Sequence, residues 1–178
     1  MYKEVLKFWF EETSPSQWWT KNDAFDQTIS DRFSELHQKA VCCELYEWRE
    51  NTPGRLAEII ILDQFSRNMF RGVPGAFAQD ALALALAQEA VARGVDQQLN
   101  QVERGFLYLP YMHSESIKIH EVAVSLYSKG GMESTLEWEL KHKKIIERFG
   151  RYPHRNEILG RVSSAEEQEF LKQPGSRF

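Results

Sequence analysis

Two segments of the chain place acids and arginines at the same spacing. Asp63 to Arg71 reads DQFSRNMFR and Glu147 to Arg155 reads ERFGRYPHR, and both fit acid-x-Phe-x-Arg-x-x-x-Arg. On a helix, an acid four residues before an arginine is the favourable orientation for a pair. Asp63 is therefore expected to hold Arg67, with Arg71 a turn further on and Leu62, Phe65 and Met69 packing on another face. A guanidinium held by a carboxylate is a planar fork suited to a carboxylate or phosphate ligand. The same spacing also suits a solvated salt-bridge stripe, which stabilises by only ~0.3–0.5 kcal/mol.

The second segment differs, because Gly150 is expected to end its helix and Pro153 pushes Tyr152 into an extended conformation. Arg151 to Asn156 then forms a loop offering Arg151, Tyr152, His154, Arg155 and Asn156, the kind of loop on which binding groups concentrate. The alternative is structural, with these side chains capping helix ends and tying down the last helix. A third polar group follows Pro110: Met112-His-Ser-Glu115. Ser114 fits an N-cap and Glu115 a first-turn acid. Alternatively, His113 and Glu115 form a pair able to move protons or orient a ligand. His142 sits on the helix before the arginine loop and is expected near it.

These residues require elements to position them, and helical periodicity supplies them. Val5, Leu6, Trp9 and Phe10 form one stripe over Tyr2 to Glu12. Ser14 reads as an N-cap with Pro15 at the first helical position. Phe25, Ile29, Phe33 and Leu36 predict a helix from about Ala24 to Cys43. Thr52 is the expected cap of the next helix, which runs into the first motif. Val73-Pro74-Gly75 is a turn. ALALALA within Ala76 to Arg93 alternates like a strand, but Ala and Leu are strong helix formers, and Arg93-Gly94 is a helix stop. Further helices are expected over Glu103–Leu109, Ser114–Lys129 and Met132–Phe149. A capping box at Ser163-Ser-Ala-Glu166 opens a last helix to about Lys172. The tail QPGSRF is expected to be loosely held, with Phe178 able to dock. No segment reads as a strand, no repeat near 34 residues is evident, and no linker divides the chain. The expectation is one all-α domain over 1–178, an antiparallel helical array.

Composition narrows the function classes. The 178 residues, 42% hydrophobic and 12% aromatic, suffice for a packed core. A net charge of −4 gives no global attraction to nucleic acid or anionic membrane, so nucleic acid is an unlikely partner, although seven Lys/Arg face two Glu between Lys141 and Arg161. No apolar run approaches a membrane span. The N-terminus lacks signal-peptide character and the only cysteines, Cys42-Cys43, are adjacent, which fits a cytoplasmic protein. The cysteines are expected as buried small hydrophobes on a helix. His120-Glu121 begins like a zinc-protease motif, but Val124 stands where a second histidine belongs. No metal and no cofactor is implied. Trp18-Trp19 is a further possible binding surface.

The segments LDQFSRNMFRGVPGAFAQD, FLYLPYMHSE and IIERFGRYPHRNEILGR, with KFWFEE and WW near the start, together resemble the bacterial domain of unknown function 924 family from end to end. That resemblance implies an all-α, tetratricopeptide-repeat-like superhelix and transfers no activity or catalytic residue. Ser66, His120 and Lys144 depart from the pattern. Asp63, Arg67, Arg71, Asp80, His113, Glu115, His142, Arg151, His154 and Arg155 keep it, and these ten are the candidate ligand-binding residues. The expected arrangement is one concave face lined by arginine, histidine and carboxylate. Three functions suit it: a binding module for an anionic small molecule or acidic peptide, an enzyme using a His/Glu acid–base pair with arginine charge stabilisation, or a structural protein with an internal polar network. Oligomeric state is not legible.

Overall fold

In the computed structural model, which describes residues 1–129 and 131–177, helices run in the order α1 Tyr2–Lys7, α2 Asp23–Val41, α3 Thr52–Ile60, α4 Ser66–Met69, α5 Asp80–Ala92, α6 Gln101–Met112, α7 Ile117–Tyr127, α8 Glu133–Phe149 and α9 Ala165–Phe170. There is no strand among the described residues. No helix among them is long and apolar enough to cross a membrane. The expected docking of Phe178 lies outside the described residues, as does Gly130 between α7 and α8. Packing of the backbone divides the chain into two compact units, Met1–Arg71 with Gly75–Pro110, and Gly72–Pro74 with Tyr111–Phe178.

The first unit is built on aromatic packing. Phe8, Trp9, Phe25, Phe33, Phe65 and Phe106 are buried, with ring centroids 5.0 Å apart for Phe33 and Phe65 and 5.6 Å for Trp9 and Phe106. Helix α1 widens into a π-helical turn over Phe8–Glu12, and α3 does so over Ile61–Phe65 before continuing as α4. The extra residue in each turn shifts the phase of the stripe. This is why Phe8 is buried while Leu6 and Phe10 are only half-buried, against the expected stripe. In α2 the buried face is Phe25, Ile29, Phe33, His37 and Ala40. His37 takes the core position expected of Leu36 and bonds Ser66 Oγ at 2.8 Å. Helix α5 buries Ala83, Ala87 and Ala90, the small-residue face that lets α3 pack closely against it.

Several expected boundaries move. The segment after Ser14 makes turns rather than a helix. Asn51, not Thr52, caps α3, its side chain accepting from Gly54 N–H at 2.9 Å. Gly54 is required there, because a Cβ would meet the Trp48 carbonyl oxygen at 2.2 Å. Helix α6 continues through Pro110 to Met112. Cys42 and Cys43 are exposed, and Cys43 has φ 59° beyond the end of α2. The helix stops before it can bury them, so the expected core role is overturned.

In the second unit α7 packs on α8. Ile145, Ile146 and Tyr152 form a small core joined by Phe149 and Phe170. Gly150 ends α8 in the left-handed conformation, φ 69°. The capping box lies one residue later than expected: Ser164 Oγ accepts from Glu167 N–H at 3.1 Å, and Glu167 Oε2 accepts from Ser164 N–H at 2.7 Å.

Candidate functional site

The two motif copies fall in different units, and their geometries differ. In the first unit Arg67 lies across Asp63, Nη1 to Oδ1 3.0 Å, and forks onto Asp80 at 2.8 and 3.1 Å. Asp63 is 1% exposed and also accepts from Gln64 Nε2 at 2.6 Å. A solvated stripe does not describe this pair. Arg71 leaves the helix and forks onto Asp26 at 2.5 and 2.9 Å, with Asn68 adding a bond to the same carboxylate. Burial works to raise the Asp26 pKa, but Arg71 and Asn68 outweigh it and hold the carboxyl below its usual range.

In the second unit the acid of the motif, Glu147, is taken by Lys143. Arg151 forks onto Glu167 at 2.7 and 2.8 Å and reaches the Val162 carbonyl at 2.9 Å. Arg151, followed by the Ser164 and Asn156 bonds, draws Glu167 down to about 2. The shared pattern thus has no shared geometry. Only Asp63 and Arg67 use the four-residue spacing.

The loop expected after Gly150 does form, with Tyr152 extended ahead of a single turn of 3-10 helix at Pro153–Arg155. Its side chains converge on the Met112–Glu115 segment. Tyr152 OH donates to the Met112 carbonyl at 2.5 Å, Arg155 Nη2 to the His113 carbonyl at 3.0 Å, and His120 Nε2 to the Ser114 carbonyl at 2.8 Å. Three successive carbonyls at and just beyond the C-terminal end of α6, which would otherwise need solvent, each receive a side-chain donor. Glu115 accepts two bonds from Arg161, at 2.6 and 2.9 Å, and one from the Tyr152 N–H at 2.8 Å. Burial would raise its carboxyl; Arg161 and the N–H more than offset this. Neither expected capping role survives here: Ser116 precedes α7, and Ser114 and Glu115 lie outside it.

Behind this segment lies a fully buried pair, His120 and Glu139, Nδ1 to Oε1 2.7 Å. Because the Ser114 carbonyl can only accept, His120 carries a proton on Nε2, and its Nδ1 faces the Glu139 carboxyl. Burial pushes the Glu139 carboxyl up, with His120 opposing, and Glu139 Oε2 meets no donor among the described residues. Glu139 was not anticipated. Its signal was an acid in register with core positions of α8, three residues before His142 and seven before Ile146. Arg161 carried no such mark.

Tyr152 is flanked by one guanidinium and three imidazoles. Arg155 lies 4.6 Å above its ring. The rings of His154, His142 and His120 stand at 5.5, 5.8 and 6.2 Å. His142 donates from Nδ1 to the Trp138 carbonyl at 2.8 Å, as required of the neutral tautomer that keeps this bond. Burial first, opposed by the bond to the Trp138 carbonyl and helped by the neighbouring His113, His120 and Arg155, lowers its pKa to about 4. At His142 the native state therefore binds fewer protons than the unfolded chain between about pH 6.5 and 4, and this group's contribution to stability falls on acidification through that window. The loss approaches about 3 kcal/mol. Urea unfolding at pH 7 and pH 4.5 should show the wild type losing about that much more stability than His142→Gln, which keeps an N–H donor but does not titrate. Equal losses would remove His142 as the cause.

The fold is thus an all-helical array carrying arginine–carboxylate networks in both of its units, with a histidine cluster in the second. The chain belongs to the bacterial proteins of unknown function grouped as DUF924, which it matches over residues 5–175. It is similar to the solved structure of a protein of unknown function from Agrobacterium tumefaciens, with 40% identity over 96% of each chain and a TM-score of 0.90. No match is found among curated proteins.

Proposed function

We propose that the second unit binds an anionic small molecule or the acidic end of a peptide, at the cluster built on Tyr152. The observation that supports this most is the convergence of Arg155, His154 and His142 on one buried tyrosine ring, with half-buried His113 and His154 giving solvent access. The nearby carboxylates are already committed, Glu115 to Arg161 and Glu139 to His120. The guanidinium and imidazole groups that gather on Tyr152 are of the kinds that recognise carboxylate and phosphate. Arg67, Arg71, Asp63, Asp80, Arg151 and Glu115, bound to one another or to other charged partners, serve as frame in this reading.

A second reading draws on the three capped carbonyls of Met112, His113 and Ser114: the network is structural and holds that segment in place. Thermal unfolding in the presence of phosphate, succinate, citrate and short acidic peptides separates the two. A ligand at 100 times its dissociation constant adds about 2.7 kcal/mol. That gain should disappear in His113→Gln/His154→Gln, which leaves the Tyr152, Arg155 and His120 bonds in place. If no probe raises the midpoint of the wild type, the structural reading stands alone.

A further inference from the structure

A groove of about 750 Å³ opens on the first unit, between the 3-10 turn Tyr46–Glu50, the start of α3 and the residues that follow α5. That is the size of a small-molecule site. Two guanidinium groups in its wall bind one carboxylate: Arg55 Nη1 donates to Glu89 Oε2, and Arg93 Nε to Glu89 Oε1. One negative charge serves two positive ones. The Arg55 side chain is only 11% exposed, and Glu89 is the one acceptor its guanidinium meets among the described residues. A guanidinium has five N–H donors, so the others are left for water or a ligand in the groove. The turn contributes the opposite charge, exposed Glu47 and Glu50, and the exposed ring of Tyr46.

This distribution selects. A carboxylate fits the fork of Arg55 and the accessible Arg93, while a second negative charge on the same ligand would meet Glu47 and Glu50, a like-charge juxtaposition that disfavours it. We propose that this groove binds a zwitterionic ligand of amino-acid or peptide type, its carboxylate taken by Arg55 and Arg93 and its ammonium by Glu47 and Glu50. All of these residues belong to the first unit, and none of them is part of the Tyr152 cluster.

Calorimetric titration of the full chain with the dipeptide glycyl-lysine, and with the same dipeptide amidated at its C-terminus, tests the assignment. Glycyl-lysine should bind, and the amide should bind at least about tenfold more weakly, the effect of losing a charge-assisted hydrogen bond. Arg93→Gln, at an exposed position whose loss the fold tolerates, should bring the dipeptide down to the level of the amide. Glu47→Gln/Glu50→Gln should weaken the dipeptide by a similar factor. The proposal is overturned if the amide binds as well as the acid, if dipeptide binding survives Arg93→Gln unchanged, or if no heat is seen at about 10 mM dipeptide, a concentration that reveals even millimolar affinity.

Discussion

Replacing Arg49 with methionine should cost about 3 kcal/mol of stability, among the largest single-residue effects in the first unit. Arg49 Nε and Nη2 fork onto Glu58 at 2.7 and 2.6 Å. Glu58 is 0% exposed, in the middle of the apolar run Leu56-Ala57-Glu58-Ile59-Ile60. Without the guanidinium a carboxylate is left in the core of α3 with no countercharge. Breaking a buried pair on one side costs about 3–5 kcal/mol, and the lower end applies because Arg49 is itself 26% exposed. The double variant Arg49→Met/Glu58→Met should recover most of the loss, since apolar replacement of both partners is close to neutral. Denaturant unfolding gives the values. A single-variant loss below about 1 kcal/mol, the range of surface pairs, would mean that Glu58 has found another donor.

Much of the helical frame was legible because it rests on local spacing. Phe25, Ile29 and Phe33 define α2 by their intervals, and Gly150 and Gly94 end α8 and α5 by their backbone freedom. What escaped depends on competition or on distance. Asn51 and Thr52 are both good caps, as are Ser163 and Ser164, and local sequence does not choose between neighbours. The close approach of Trp48 to Gly54 fixes the entry to α3 in the first case. The π-helical turns at Phe8–Glu12 and Ile61–Phe65 break the 3.6-residue period that reveals helices, so burial of Phe8 was missed.

The candidate site divides in the same way. Asp63 and Arg67 lie four residues apart and could be paired from spacing. Arg71 finds Asp26 across 45 positions, Arg161 finds Glu115 across 46, and Arg151 turns from Glu147 to Glu167. Sequence names such residues as charged, but only the packing of helices chooses their partners. The repeated acid-x-Phe-x-Arg pattern illustrates the limit: identical letters give one local ion pair and one long-range fork.

Arg67→Met decides whether the first motif is frame or binding surface. An arginine kept for a ligand costs little on removal, or its loss even stabilises the protein, because functional sites carry charge at the expense of stability. Arg67 is placed otherwise. It is 19% exposed, and it bridges the 1%-exposed Asp63 and the half-buried Asp80. Removing it takes the guanidinium away from two carboxylates at once, one of them buried in the core. The expected loss is about 3–4 kcal/mol, in the range for breaking a buried pair from one side. Arg67→Met/Asp63→Leu should regain a large part of it, because the second change removes that buried charge as well. Urea unfolding of the two variants beside the wild type is sufficient. A loss under about 1 kcal/mol for Arg67→Met would return the arginine to the binding surface, and the anion panel would then be repeated on that variant. A loss of the expected size that the second substitution relieves would make Asp63, Arg67 and Asp80 a buried lock that joins α4 to the start of α5.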